Sequence, residues 1–274
     1  FIKNKLENIS IEIDQKNLYN LELQRTNRMS GGEEKGNLSK AKLKADKKKY
    51  DIKLRVKGDR LLHWRNKDET SYKIDIRGDD RIWGLEEFSF QKPITRNYIY
   101  EFIFHRLMQT SGLISLKYFF INLSMNDNKQ GIYAVEEGFS KELLERNKKR
   151  NGPIFSLNEE WNSEQNNKNG KEVVFEIYNK KNWLSKENIQ LTLFANNLLK
   201  DFLNGNLQIE DLFDVEKWAW YFAASDINYY DHGALLKSVK FYYNPLSAKF
   251  EPVPFDGHRQ VVDYNKNIFN WQKG

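Results

Sequence analysis

The feature that most limits how this chain can fold is a period of two that keeps returning through its first half. Ile9, Ile11 and Ile13 alternate with Ser10, Glu12 and Asp14; Leu43 and Ala45 belong to a second run and Ile52, Leu54 and Val56 to a third. Tyr72, Ile74 and Ile76 alternate with Lys73 and Asp75, and Phe88 and Phe90 mark a further short run. Successive strand side chains point to opposite faces, so each run predicts a strand with one buried face. Tyr118 to Leu123 and Gly131 to Val135 read as two more, joined by the polar turn Asn126-Asp127-Asn128-Lys129. Two helices interrupt the strands. Asp14 is placed to cap one that carries Leu18 and Leu21 and ends at Ser30-Gly31-Gly32. Thr95 is expected to cap the other, with Tyr98, Phe102 and Leu107 on one stripe and a stop at Gly112.

The second half reads differently. Phe139 to Arg146 is helical, and Asn158 to Lys171 is polar without a period, as in a loop. Ser185 and Asp214 are each expected to cap an amphipathic helix, the first through Leu191, Phe194, Leu198 and Phe202, the second through Trp218, Tyr221 and Phe222. The irregular stretch from Asp226 to Gly233 leads to a hairpin, Val239 to Tyr243 and Phe250 to Val253, which delivers Phe255-Asp256-Gly257-His258. The expected fold class is α+β with two lobes: strand-rich over 1–137, mainly helical over 138–274.

Charge is unevenly spread. The first 60 residues hold 16 Lys/Arg against 9 Asp/Glu, and the remaining 214 hold 28 against 29. A nucleic-acid binder carries its excess through the binding domain, so nucleic acid is an unlikely partner. Lys47-Lys48-Lys49 falls at a predicted hairpin tip; the lysines either solvate that tip or contact a polyanion. Cysteine is absent, which excludes thiol nucleophiles, disulfides and cysteine-bound metals. No apolar run reaches the length of a membrane span. The chain opens on Phe1, so a leader could have been removed, and localisation stays open.

Chemistry has few places to reside. His63, His105, His232 and His258 are the four histidines, and no two share metal-ligand spacing on one element, which argues against zinc. There is no nucleophile elbow, Walker loop or dinucleotide fingerprint. Asp231 and Asp256 flank the predicted hairpin and can converge, with Asp226 nearby. Each of these carboxylates can cap a turn, hold a metal or take a proton.

Four stretches in order resemble the CotH kinase family of atypical protein kinases. They are Leu54-Arg55-Val56-Lys57-Gly58 with Ser71-Tyr72-Lys73-Ile74; Phe88-Ser89-Phe90-Gln91 with Thr95-Arg96-Asn97-Tyr98; Gly131 to Glu137 with Lys141-Glu142-Leu143-Leu144; and Asp231 through Phe241-Tyr242-Tyr243-Asn244-Pro245 to Pro254-Phe255-Asp256. The resemblance implies a protein-kinase-like fold whose hairpin bears the metal site, with a helical lobe expected to be cut short at 274. It also implies transfer of the γ-phosphate of ATP to a Ser or Thr of a protein, with Mg2+ or Mn2+. Within it, Lys73 would face the phosphates, Asp231 the acceptor hydroxyl and Asp256 the metal. Glu137 would contact the nucleotide or pair with Lys73, and Gly58, with His63-Trp64-Arg65, would form the loop over the phosphates. Arg55 and Arg96 are phosphate or ion-pair candidates.

Two departures stand out. Family members commonly show Trp-Asp-x-Asp where this chain has Phe255-Asp256-Gly257-His258, so a histidine replaces the second acid. Ser238 stands near where many carry an asparagine ligand, beside Lys237. The alternatives implied are a catalytically weakened nucleotide- or ligand-binding module and, further off, a polyanion binder. By resemblance the setting would be a bacterial cell, spore coat or cell surface.

Overall fold

In the computed structural model, residues 6–32, 36–58, 60–157, 175–235 and 238–258 are described. The chain divides into two units: one runs to Phe102 and resumes over Lys117–Gly138, and the other comprises Ile103–Leu116 and the chain from Phe139 on.

The period-two runs of the first unit become β1 (Glu7–Glu12), β2 (Ser39–Ala45), β3 (Lys48–Val56), β4 (Tyr72–Ile76), β5 (Glu87–Gln91), β6 (Tyr118–Met125) and β7 (Asn128–Glu137). They close into a barrel in the order β1-β2-β3-β4-β5-β7-β6. All neighbours are antiparallel except β1 and β6, which run parallel with Glu7 opposite Ile121 and Ile11 opposite Met125. Asn126 clamps this closure: its side chain accepts from the Ile13 N–H and donates to the Ile13 carbonyl, both at 2.8 Å. Ile9, Ile11, Leu43, Ile52, Leu54, Ile74, Phe88, Phe90, Ile121 and Tyr133 fill the inside and are all buried. Closure leaves no sheet edge to attract another chain.

The helix α1 (Gln15–Met29) starts as expected, with Asp14 accepting from the Asn17 N–H at 2.8 Å. The second helix differs from expectation. Pro93–Arg96 is a short 3-10 turn, Asn97 and Tyr98 take left-handed backbone, and α2 spans Tyr100–Thr110. Thr95 donates to the Lys92 carbonyl within the turn, so it does not cap α2. Left-handed residues break the run of helical hydrogen bonds and separate the two pieces.

The second unit overturns the expected two-lobed kinase plan with a mainly helical lobe. Its centre is a four-stranded antiparallel sheet in the order β11-β10-β8-β9, built from β8 (Ile154–Leu157), β9 (Phe175–Ile177), β10 (Lys240–Asn244) and β11 (Lys249–Pro252). The predicted hairpin is β10–β11, and β8 fills its open edge with Phe155 opposite Phe241. β8 and β9, of four and three residues, are too short to be recognised by alternation alone, whereas β11, as short as β8, is marked by the Asn244-Pro245 turn of its hairpin. Only Ile189–Leu203 and Val215–Ile227 among the described helices from Phe139 on exceed six residues. Phe155, Ala195, Leu199, Leu212, Tyr243 and Phe250 make a core against the sheet. The polar stretch Asn158 to Lys171 lies outside the described residues. No helix among the described residues is long and apolar enough to cross a membrane.

Candidate functional site

Among the described residues, each unit holds a buried polar cluster that carries candidate residues. In the second unit, Asp214 accepts from the Lys217 N–H at 3.3 Å and starts the helix Val215–Ile227. That helix holds the turn Asp231–Ala234 in place: the buried Tyr221 hydroxyl donates to the Gly233 carbonyl, and the Tyr230 N–H donates to the Ser225 carbonyl at 2.9 Å. The strand β11 leads into the segment Val253 to His258, and the His232 N–H meets the His258 carbonyl at 3.3 Å. These two stretches bring His232, Asp256 and His258 together, all buried.

His232 Nδ1 lies 2.7 Å from Asp256 Oδ2, and His258 Nδ1 lies 3.2 Å from Asp256 Oδ1. The imidazoles stack at 4.3 Å with 27° between their planes. Ser238 Oγ is 3.3 Å from His232 Nδ1 and 3.5 Å from Asp256 Oδ2. Asp256 itself has φ +60°, a left-handed conformation that Asp tolerates better than most residues. The two residues singled out for a metal, Asp256 and Ser238, are thus neighbours. His232 and His258 were missed because spacing rules look within one element, whereas these come from a turn and from the strand β11's exit. Asp231 opens the same turn; its side chain and Lys237 lie outside what is described. Asp226 sits at the end of the helix and is not among the three converging ligands.

Gly257 sets the path of this segment: a Cβ there would overlap the Phe104 ring, which is fully buried and meets Tyr230 edge-on at 5.0 Å. Gly257→Ala is expected to destabilise the protein by about 1–3 kcal/mol, because a rigid ring and not a flexible chain must yield. Denaturant titration checks this, and an unchanged midpoint would contradict it.

Two imidazoles and a carboxylate form a mixed nitrogen–oxygen donor set. Such a set suits a borderline divalent ion such as Co2+ or Zn2+ better than the harder Mn2+. Mg2+ takes oxygen ligands and gives up water reluctantly, and among the described side chains of the cluster oxygen comes from Asp256 and the Ser238 hydroxyl.

In the barrel unit, Glu136 is almost fully buried and pairs with Lys57. Gln91 Nε2 donates to Glu136 Oε1 at 3.1 Å, and Arg96 Nε stands 3.8 Å from the same oxygen. Glu137, the residue marked in sequence, points elsewhere: its Oε2 accepts the Lys117 N–H at 2.6 Å. Burial, with the charges of Glu101 and Glu136 adding to it, pushes the nearby Tyr118 hydroxyl well above its ordinary range and keeps it neutral.

Lys73 takes Glu87 as its partner, at 2.5 Å, rather than Glu137, with Asp75 at 3.9 Å. It lies opposite Arg55 across β3 and β4, so Arg55, Lys73, Asp75 and Glu87 form one ionic ladder on those strands and β5. Burial pushes the Arg55 guanidinium down from its ordinary value, while Asp75 and Glu87 oppose the shift. Gly58 has φ +99°, and a Cβ on it would overlap the His63 ring; its carbonyl accepts from Arg28. Of the tip lysines, Lys48 pairs with Asp80 at 2.6 Å and Lys49 with Glu12 at 2.9 Å.

The model of one protein family, described as CotH kinase protein, matches residues 54–271. No curated protein matches the chain. The matched span holds Lys57, Arg96 and Glu136 as well as His232, Asp256 and His258, and it covers most of the sequence, so this chain belongs to the CotH kinase family.

Proposed function

We propose that the protein transfers the γ-phosphate of ATP to a serine or threonine hydroxyl of a protein, with a divalent cation held at His232, Asp256 and His258. The observation that carries this reading is the buried His–Asp–His cluster, lying inside the span that matches a kinase family. When bound, the cation would neutralise charge on the phosphate oxygens. Asp256 supplies the anionic ligand, and Ser238 and the two imidazoles fix its orientation. Asp231, in the same turn as His232, is assigned to the acceptor hydroxyl.

A kinase also needs a lysine braced by a glutamate against the phosphates. The barrel unit offers two such pairs: Lys73 with Glu87, both about one-third exposed, and Lys57 with the buried Glu136. Charges act more strongly where water is excluded, which favours Lys57, with Arg96 behind it. Lys73, Arg55, Glu137 and the Gly58 loop remain the alternative phosphate contacts.

The test is label transfer from γ-labelled ATP to a generic Ser/Thr protein, with Mn2+ or Mg2+ added. Lys57→Ala should lower transfer by about 100-fold or more, and Lys73→Ala by only a few-fold. The reverse order would return the role to Lys73. His258 in place of a second acid favours one further reading, a module that binds nucleotide without transferring phosphate. ATP raising the melting temperature with no label on any acceptor would establish it.

A further inference from the structure

We infer that the His232–Asp256–His258 centre is built for a first-row transition cation and discriminates against magnesium. The inference rests on the assignment of Asp256 to a metal. Donor chemistry is the first argument. Two of the three ligands offer imidazole nitrogen, which binds divalent ions in the order Mn2+ < Co2+ and, more tightly than Mn2+, Zn2+. Mg2+ gains little from nitrogen and keeps its waters.

Spacing is the second. Two neighbouring donors on one ion, with bonds of about 2.0–2.2 Å, stand about 2.9–3.4 Å apart. Asp256 Oδ1 and His258 Nδ1 are 3.2 Å apart. The buried His258 Nδ1 makes no hydrogen bond in this arrangement, although a carboxylate oxygen faces it. Two buried polar atoms facing each other without hydrogen-bond alignment match the positions of two ligands of a shared ion. All three ligand atoms fall within 4.8 Å of one another, which spans even a trans pair.

Rigidity is the third. The rings are stacked and buried, and Asp256 Oδ2 at 2.7 Å from His232 Nδ1 orients one of them. Ser238, 3.3 Å from the same nitrogen, adds a second constraint. A site this fixed keeps its imidazole nitrogens in place and does not rearrange to offer an oxygen-seeking ion more oxygen.

The experiment is calorimetric titration of the chain, purified without a histidine tag and stripped with chelator, with Mg2+, Mn2+, Co2+ or Zn2+ and no nucleotide. One ion per chain is expected. Zn2+ and Co2+ should bind more tightly than Mn2+, and Mg2+ at least about 100-fold more weakly than Zn2+. Bound Co2+ should give visible absorption bands that His258→Ala removes, and His258→Asp should narrow the Zn2+/Mg2+ ratio by about 10-fold or more.

No bound ion, Mg2+ binding as tightly as Zn2+, or a ratio unmoved in folded His258→Asp would each overturn the inference. The wild-type order decides by itself if both variants fail to fold. Label transfer is scored separately. Transfer supported by Mg2+ without Zn2+ or Co2+ binding defeats this inference and spares the kinase reading. One transition ion per chain without transfer under any ion does the opposite.

Discussion

Asp256→Asn is expected to lower phosphoryl transfer by at least about 10³-fold, equivalent to about 4 kcal/mol of lost charge stabilisation. Asparagine keeps the shape of the side chain and removes its charge, so the readout isolates the anion. The backbone also dictates this choice. With φ +60° at this position, alanine would carry steric strain, whereas asparagine accepts left-handed backbone readily. The neutral amide still reaches His232 and Ser238, which stand 2.7 and 3.5 Å from Oδ2. The melting temperature should therefore stay close to wild type while label incorporation and metal affinity fall together. Equal label incorporation by wild type and variant would remove Asp256 from the mechanism. Asp231→Ala should separate from it by sparing nucleotide and metal binding while turnover drops.

Glu136→Ala is expected to destabilise the barrel unit by about 3–5 kcal/mol, which is the cost of removing one member of a buried ion pair. Glu136 is 1 % exposed and receives Lys57, Gln91 and the approach of Arg96. Its loss puts the charges of Lys57 and Arg96 near each other in a region of low dielectric with their shared counter-charge gone. Glu136→Gln should fall between, because the amide still offers an acceptor to Gln91 but no charge. By comparison, Glu87→Ala removes the partner of Lys73, a side chain about one-third exposed, and should cost about 1 kcal/mol or less. Chemical denaturation of the three variants gives the ranking. If Glu136→Ala costs no more than Glu87→Ala, the buried cluster is not the electrostatic centre of the unit.

Much of the local structure was legible along the chain. The isoleucines at 9 and 11, the run 52–54–56 and the pair Phe88 and Phe90 each gave a strand with its inward face correctly assigned. Asp14 and Asp214 cap the helices that follow them, because an N-cap is a contact three residues long, whereas Ser185 lies one turn early and Asn188 opens Ile189–Leu203 without a side-chain cap. The helix expected from Thr95 was misread, since a capping side chain there serves a 3-10 turn and two left-handed residues follow. The strands β8 and β9 were invisible because three or four residues cannot establish a period.

The candidate site was legible in part. Asp256 and Ser238 were marked and lie 3.5 Å apart. His232 and His258 carry no shared spacing, and their stacking appears only when the turn after Tyr230 meets the exit of β11. Lys57 follows the strand β3, and in sequence a lysine at a strand's end looks the same whether its partner is water or a buried glutamate.

The sequence by itself therefore determined the strands of the barrel, the caps at Asp14 and Asp214, that no thiol chemistry is possible, and which family the pattern resembles. These follow from short-range rules of period, turn geometry and residue type. Only the tertiary structure decided the closed barrel and the sheet at the centre of the second unit. β1 meets β6, more than 100 residues away, through backbone hydrogen bonds that any side chain permits. It also decided the partners of the charged residues: Glu136 for Lys57, Glu87 for Lys73, and Asp256 for two histidines. An ion pair is chosen by distance and burial, and neither quantity is written in the order of the residues.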